Sequence, residues 1–237
     1  MDIWYEQLGF IENPFSIKPG AYDDEIFGYS NELKKVYSAM NKGGVWFVEG
    51  NFGVGKTSML KQIINNFKGR KRVIYYSANR SEGGINFKQL LKNRNGFFQR
   101  WFGILPKNMI LLLDEAHTIN SHDATAIEKY MKSKNFKTII FASDKVSDVQ
   151  MTPWLKKKMG DKKILKLQPI TENNAIKLVR NRVGDLKFLP NSIIKKVFAK
   201  SDKNPRKMLE NLEDLCRYAM EIGAKKIAEA HLKKVLK

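Results

Sequence analysis

Residues 45–58 read VWFVEGNFGVGKTS. An apolar run from Val45 to Glu49 passes directly into a loop of Gly50, Asn51, Phe52, Gly53, Val54 and Gly55, which ends on Lys56, Thr57 and Ser58. A helical periodicity follows, with Met59, Leu60, Ile63, Ile64 and Phe67 on one face. Strand, glycine loop and helix in this order match G-x-x-x-x-G-K-T from Gly50 to Thr57, the arrangement that cradles phosphates. Glycines let successive backbone N–H groups wrap an anion, and the start of the helix adds positive potential. Lys56 is placed to reach the β and γ phosphates, and Thr57 to offer its hydroxyl to Mg2+. The stretch therefore implies a nucleoside triphosphate as ligand and a P-loop α/β fold.

Outward from it, short apolar runs alternate with helical periodicity. VIYYS (73–77), MILLL (109–113), TIIFA (138–142) and, more weakly, ILKL (164–167) join VWFVE (45–49) as five strand candidates. Such alternation predicts a parallel five-stranded sheet covered by helices. MILLL has no polar alternation, which predicts a central strand buried on both faces. Leu33, Val36, Tyr37 and Met40 mark one apolar helix face. After about residue 169 the strand signals stop. Thr171 is a candidate N-cap; Ile193, Ile194, Val197 and Phe198, then Met208, Leu209, Leu212, Leu215 and Ala219, trace helical stripes, and a last helix is expected after Gly223. The expected organisation is an α/β nucleotide-binding domain over 1–168 and a small all-helical domain over 169–237.

MILLLDEAH supplies a second part of the chemistry. An apolar strand delivers Asp114 and Glu115 at its C-terminal end, where ligands bind in open α/β sheets. Asp114 is assigned to magnesium and Glu115 to polarising the attacking water. Together with the loop they point to NTP hydrolysis, a binding-only pocket being the alternative. His117, with no other histidine at metal spacing, is read as a structural residue or one behind the site rather than a metal ligand.

Lys and Arg total 43 against 24 Asp and Glu, a net charge of +19. That excess predicts attraction to polyanions, with DNA the expected partner through non-specific phosphate contacts. A lysine-rich, solubilising surface is the competing explanation. The lone cysteine, Cys216, excludes a disulfide framework and a cysteine-based metal site. No apolar run approaches the ~18 residues of a membrane span, and MDIWYEQLGF carries an acid where a secretion signal wants basic residues, so a cytoplasmic location is expected.

With these residues in place the chain resembles AAA+ ATPases, in the branch of replication-initiator (origin-recognition) and ExeA-type proteins, with transposition-regulator ATPases among the relatives. GFIENPFSIKP and IFGYSNELKKV are similar to the lead-in segment and the adenine-side box; the resemblance implies that Ile26, Phe27 and Gly28 border the base. TIIFASD resembles the sensor-1 strand and implies Ser143 or Asp144 beside the γ-phosphate, although asparagine or threonine is usual there. Asn79 resembles the polar switch residue that restrains the catalytic glutamate. SDKNPRKMLENL is similar to a lid helix, with Arg206 as sensor 2 and Lys203 where glycine is common. An arginine there can fork onto the γ-phosphate and make lid angle depend on the nucleotide.

Two basic stretches remain. In 85–108, Arg94 and Arg100 are interleaved with Phe97, Phe98, Trp101 and Phe102; these can stack on single strands or form a buried helix face. Residues 154–163, WLKKKMGDKK, lie between sensor 1 and the helical domain. The resemblance puts Lys158 at the arginine-finger position, beside Lys156 and Lys157, where a lysine lacks the planar fork. A weakened trans-acting finger, a DNA-facing edge and a solvated loop are the three readings. The expected function is a Mg-ATP-hydrolysing switch that assembles on DNA as a nucleotide-dependent homo-oligomer or with a protein partner, in replication initiation, helicase or clamp loading, or transposition control. The alternatives are an ExeA-like partner-remodelling ATPase without DNA contact and a low-turnover ATP-gated scaffold.

Overall fold

The structure is a computed structural model and describes residues 3–18, 26–66, 72–80, 83–94 and 104–236. Phe67, Phe97, Phe98, Arg100, Trp101 and Phe102 lie outside the described residues. The chain packs as two compact units, one of Met1–Ser30, Gly53–Ser58 and Gln168–Lys237, the other of Asn31–Phe52 and Met59–Leu167.

The second unit is built on a five-stranded sheet of β1 (Gly44–Glu49), β2 (Val73–Ser77), β3 (Met109–Asp114), β4 (Phe136–Ser143) and β5 (Ile164–Lys166). Its spatial order is β2-β3-β4-β1-β5, with parallel pairing throughout. Parallel neighbours need crossover connections, and the helices of the chain supply them: α1 (Ser30–Lys42) precedes β1, α2 (Lys56–Asn66) follows it, α3 (Phe87–Lys92) lies before β3, α4 (Ser121–Lys132) before β4, and α5 (Pro153–Met159) before β5. All six residues of β3 are buried, as the unbroken MILLL run predicts. β3 is an interior strand, but the middle position belongs to β4, whose pattern is broken only by exposed Lys137. Each fully buried Leu or Ile of these strands contributes roughly 1.5–3 kcal/mol, so the sheet is the main store of stability in this unit.

Most expected helix faces are buried, with two differences. Leu33, Val36 and Met40 are covered while Tyr37 is only partly so, and Ala39 takes its place on the buried face of α1. Ile64 is likewise half-buried beside fully buried Met59, Leu60 and Ile63. A larger correction concerns WLKKKM. It is the helix α5, started by Thr152, whose hydroxyl accepts from Leu155 N at 3.2 Å, and by Pro153 in the first turn. Of the three readings, the solvated loop is replaced by about two amphipathic turns that bury Leu155 and Met159 and end on Gly160 at φ 60.

In the first unit the C-terminal segment is helical: α6 (Glu172–Val183), α7 (Asn191–Lys200), α8 (Pro205–Glu221) and α9 (Glu229–Val235). Thr171 caps α6, accepting from Asn174 N at 3.3 Å. On α8 the spacing of Met208, Leu209, Leu212, Leu215, Cys216 and Ala219 makes one continuous buried stripe. Burial pushes the Cys216 thiol above its ordinary range, consistent with a packing role. The last helix begins at Glu229, later than expected, because residues 223–228 form a turn whose Ile227 N donates to Phe188 O at 2.9 Å. The N-terminal lead-in belongs to this same unit. Phe15 is buried and stacks on Trp4 at 6.1 Å, and Arg182 Nη1 of α6 donates to Pro14 O and Ser16 O at 3.2 and 3.0 Å.

Candidate nucleotide site

The glycine loop leaves the C-terminal end of β1 and ends in the first turn of α2. Gly53 and Gly55 take φ values of 80 and 112, left-handed backbone that L side chains resist, so these two positions need glycine. Gly53 has a second reason. A Cβ there would lie 2.5 Å from Asn204 Oδ1 and 2.9 Å from Arg206 Cβ, so the first turn of α8 rests directly on the loop. Asn204 is held in place by capping that helix, accepting from Arg206 N and Lys207 N at 3.0 and 3.2 Å, with Pro205 at the first position. Tyr29 fixes the loop from another direction: its hydroxyl lies 3.1 Å from Val54 O and 2.6 Å from Gln168 O. Lys56 is buried, Gly50 is buried, Thr57 is partly covered, and Asn51, Phe52 and Ser58 are exposed.

Of the residues expected to border the base, Ile26 and Phe27 are half-buried, and Gly28, at φ 92, faces Ile170 and Asn174. The turn before α8 keeps the shape that a glycine would give: Asp202 and Lys203 sit at φ 55 and 56, and Lys207 pairs with Asp202 at 2.8 Å. Arg206 Nε donates to Glu210 Oε1 at 3.2 Å on an exposed helix face.

In the sheet unit, Asp114 ends β3 with 1% of its surface exposed. Tyr75 Oη donates to Asp114 Oδ2 at 2.9 Å, and Glu115 N donates to Asp114 Oδ1 at 3.0 Å. Glu115 adopts left-handed backbone, φ 51 and ψ 42, uncommon for a residue with a Cβ and a form of strain that gathers at functional positions. His117 Nδ1 lies 3.5 Å from Glu115 Oε2. Asn79 Oδ1 accepts from Ser77 Oγ at 2.8 Å, in a turn that lies against Ala116–Thr118. Ser143 ends β4, between β3 and β1, in register with Glu49. It is buried, and its hydroxyl is a buried polar atom with no hydrogen-bond partner among the described residues. Asp144, next along the chain and the other sensor-1 candidate, is exposed. A buried hydroxyl in want of a partner, at the carboxyl edge that carries Asp114, fits a site whose ligand is an oxyanion.

The Thr57 hydroxyl and, in the other unit, the Asp114 carboxylate are each hard oxygen donors of the kind that Mg2+ takes beside phosphate and water. Among the described residues no group of three or more His, Cys, Asp or Glu is placed to hold a metal ion. Lys158 is exposed in the last turn of α5, its Nζ 5.5 Å from the Trp154 ring, with exposed Lys156 and Lys157 beside it. Sequence reading missed Tyr29 and Tyr75, because each hydroxyl serves a group distant in sequence and leaves no spacing signature. The cap at Asn204 did have one, an Asn directly before a helix that starts with proline.

An AAA domain profile matches residues 42–171. No curated protein sequence matches the chain. Among solved structures, Cdc6p from Pyrobaculum aerophilum is similar with a TM-score of 0.72 at 15% identity, over 95% of this chain and 72% of that one. Orc1 from Aeropyrum pernix in complex with DNA gives 0.69 at 14%, over 91% and 66%. The RuvB Holliday junction branch migration motor of Thermotoga maritima gives 0.64 at 18%, over 88% and 68%. At such identities the likeness establishes the fold, which is that of the AAA+ P-loop ATPases. The profile spans more than half of the sequence and takes in the glycine loop, Asp114, Glu115 and Ser143, and on that ground the chain belongs to the AAA domain family.

Proposed function

We propose that this chain binds and hydrolyses Mg-ATP and uses the nucleotide state to control an assembly on DNA. The observation that carries the reading is the seat of α8 on the glycine loop, with Asn204 and Arg206 against Gly53. A phosphate held by that loop is adjacent to the helix that a sensor-2 arginine begins, so the presence of ligand can be read by residues 169–237, the proposed lid.

The roles follow from chemistry. Backbone N–H groups of Gly53 to Thr57 and the ammonium of Lys56 bind the phosphates. Ile26, Phe27 and Gly28 border the base. Glu115 accepts the proton of a water that attacks the γ-phosphorus in line, while ADP leaves with the bridging oxygen. His117 holds the Glu115 carboxylate until substrate orders the water, and Asn79 is the polar switch beside that turn. Tyr75 orients the Asp114 carboxylate through its hydrogen bond to Oδ2. Ser143 donates to a γ-phosphate oxygen, and Arg206 exchanges Glu210 for that phosphate as the lid responds. Thr57 and Asp114 are the residues that would offer oxygens to Mg2+, which would supply charge neutralisation at the phosphates. Lys158 is assigned to a neighbouring protomer's γ-phosphate, where a point charge senses better than it clamps a transition state.

DNA is supported by the net charge of +19 and by the likeness to Cdc6p, to Orc1 in complex with DNA, and to RuvB. The scaffold reading has one observation in its favour, a lysine at the finger position on α5. Glu115→Gln separates the readings. It should retain ATP affinity by calorimetry and lower phosphate release at least ~100-fold, the general-base contribution; equal release by both proteins would remove Glu115 from catalysis.

A further inference from the structure

The carboxyl edge of the sheet holds Asp114, Glu115 and Ser143. The opposite edge, where the strands begin, has a different chemistry. Every strand is approached by a cation: Arg72 precedes β2, Lys107 precedes β3, Lys134 precedes β4 and Lys137 stands within its start, Lys42 precedes β1, and Lys162 and Lys163 precede β5. Asp161 is the one acid in the described stretches 41–44, 72–73, 106–109, 134–137 and 161–164.

Some of these cations have a structural task. The crossover helices end at this edge, and their last carbonyls carry negative partial charge. Lys137 Nζ donates to Asn41 O at 2.6 Å, Lys107 Nζ to Ser133 O at 2.6 Å, and Lys163 Nζ to Lys158 O at 2.7 Å, completing α1, α4 and α5 in turn. Lys163 also lies over the Trp46 ring at 5.9 Å. Capping therefore accounts for three of the cations. Lys42, Arg72, Lys134 and Lys162 are exposed and make no side-chain hydrogen bond or ion pair with a described residue. Four outward charges beyond those that close the helix ends are an excess that the fold does not use.

We propose that this amino edge is a docking surface for a nucleic-acid backbone. Five strands at a spacing of about 4.8 Å set the cations in a row about 19 Å long, a linear array that complements the line of phosphates along a duplex. A bilayer is the less suitable polyanion, since of the exposed large apolar side chains among the described residues, Ile104 alone adjoins a strand start. The row bears on phosphates without reading bases, so binding is independent of sequence. This proposal deepens the DNA part of the function proposed above and rests on it; it places the polyanion on the sheet edge away from the one that carries Asp114 and Glu115.

The test is fluorescence anisotropy with a labelled 20-base-pair duplex across a salt series, using the full chain with ATP and Mg2+. Lys42→Gln, Arg72→Gln, Lys134→Gln and Lys162→Gln combined should weaken binding at least tenfold at low salt and flatten the log K against log salt slope by about 3.6. Thermal unfolding and ATP affinity should match the wild type, which verifies the fold. Lys177, Lys187, Lys225 and Lys226, all exposed in the other unit, changed to Gln serve as the control and should leave the slope unchanged. An unchanged slope in the first variant, with wild-type binding intact, overturns the edge while leaving DNA binding standing. Equal losses in both variants also overturn it, because net charge then suffices. If the wild type ignores the duplex at low salt, the DNA reading itself falls. Binding to phosphatidylserine vesicles, with none to the duplex, overturns the choice of occupant.

Discussion

Tyr75 is the residue whose effect is most cleanly separable. Its hydroxyl holds one oxygen of a carboxylate that is 1% exposed, while the Glu115 N–H holds the other. Tyr75→Phe leaves the ring and removes one partner of a buried charge, so stability should drop by about 1–2 kcal/mol, and the Mg2+ concentration needed for half-maximal ATPase should change with it. Urea denaturation measures the first effect and a magnesium titration the second. At this scale the sequence was partly legible. Lys56, Thr57, Asp114 and Glu115 announce themselves because their chemistry needs a fixed spacing along one strand and loop. Tyr75 did not, since a phenol 39 residues away in sequence meets Asp114 only when β2 and β3 pair in register. Ser143 and Asp144 were indistinguishable as neighbours, and the structure shows that the first is buried and the second exposed.

Among elements, α8 does more than close the C-terminal core. Its cap, Asn204, satisfies two N–H groups and also lies where a Gly53 side chain would go. Asn204→Ala should therefore cost about 1 kcal/mol in stability, as a lost cap does, and in addition weaken ATP binding. A variant at a cap without a ligand role, Thr171→Ala, should show the stability loss alone; calorimetry with ATP on both variants distinguishes the two. Element type was read well wherever burial is continuous or strongly periodic, as in β3 and α8. It failed at α5, where three consecutive lysines masked a helix seven residues long. Leu155 and Met159, four apart, were the signal, but two apolar positions are too few to outweigh the charge between them.

For the whole molecule, the instructive fact is that Gly53–Ser58 pack with the N-terminal lead-in and the C-terminal helices, whereas the strand that feeds the loop packs with the sheet. Boundaries drawn along the chain could not express this, because a compact unit gathers segments that composition never links. Tyr29 ties three of those segments, its hydroxyl meeting carbonyls at Val54 and Gln168. Tyr29→Phe should lower ATP affinity several-fold and reduce stability by about 1–2 kcal/mol, both readable from thermal shifts with and without ATP. Ser143 has the opposite sign. A hydroxyl buried without a partner depresses the stability of the empty protein, so Ser143→Ala should raise its melting temperature, by the equivalent of about 1 kcal/mol, while shrinking the further rise that ATP produces. In a laboratory selection for heat resistance alone, this position would drift to alanine, and the resulting protein would be sturdier and less able to tell a triphosphate from a diphosphate.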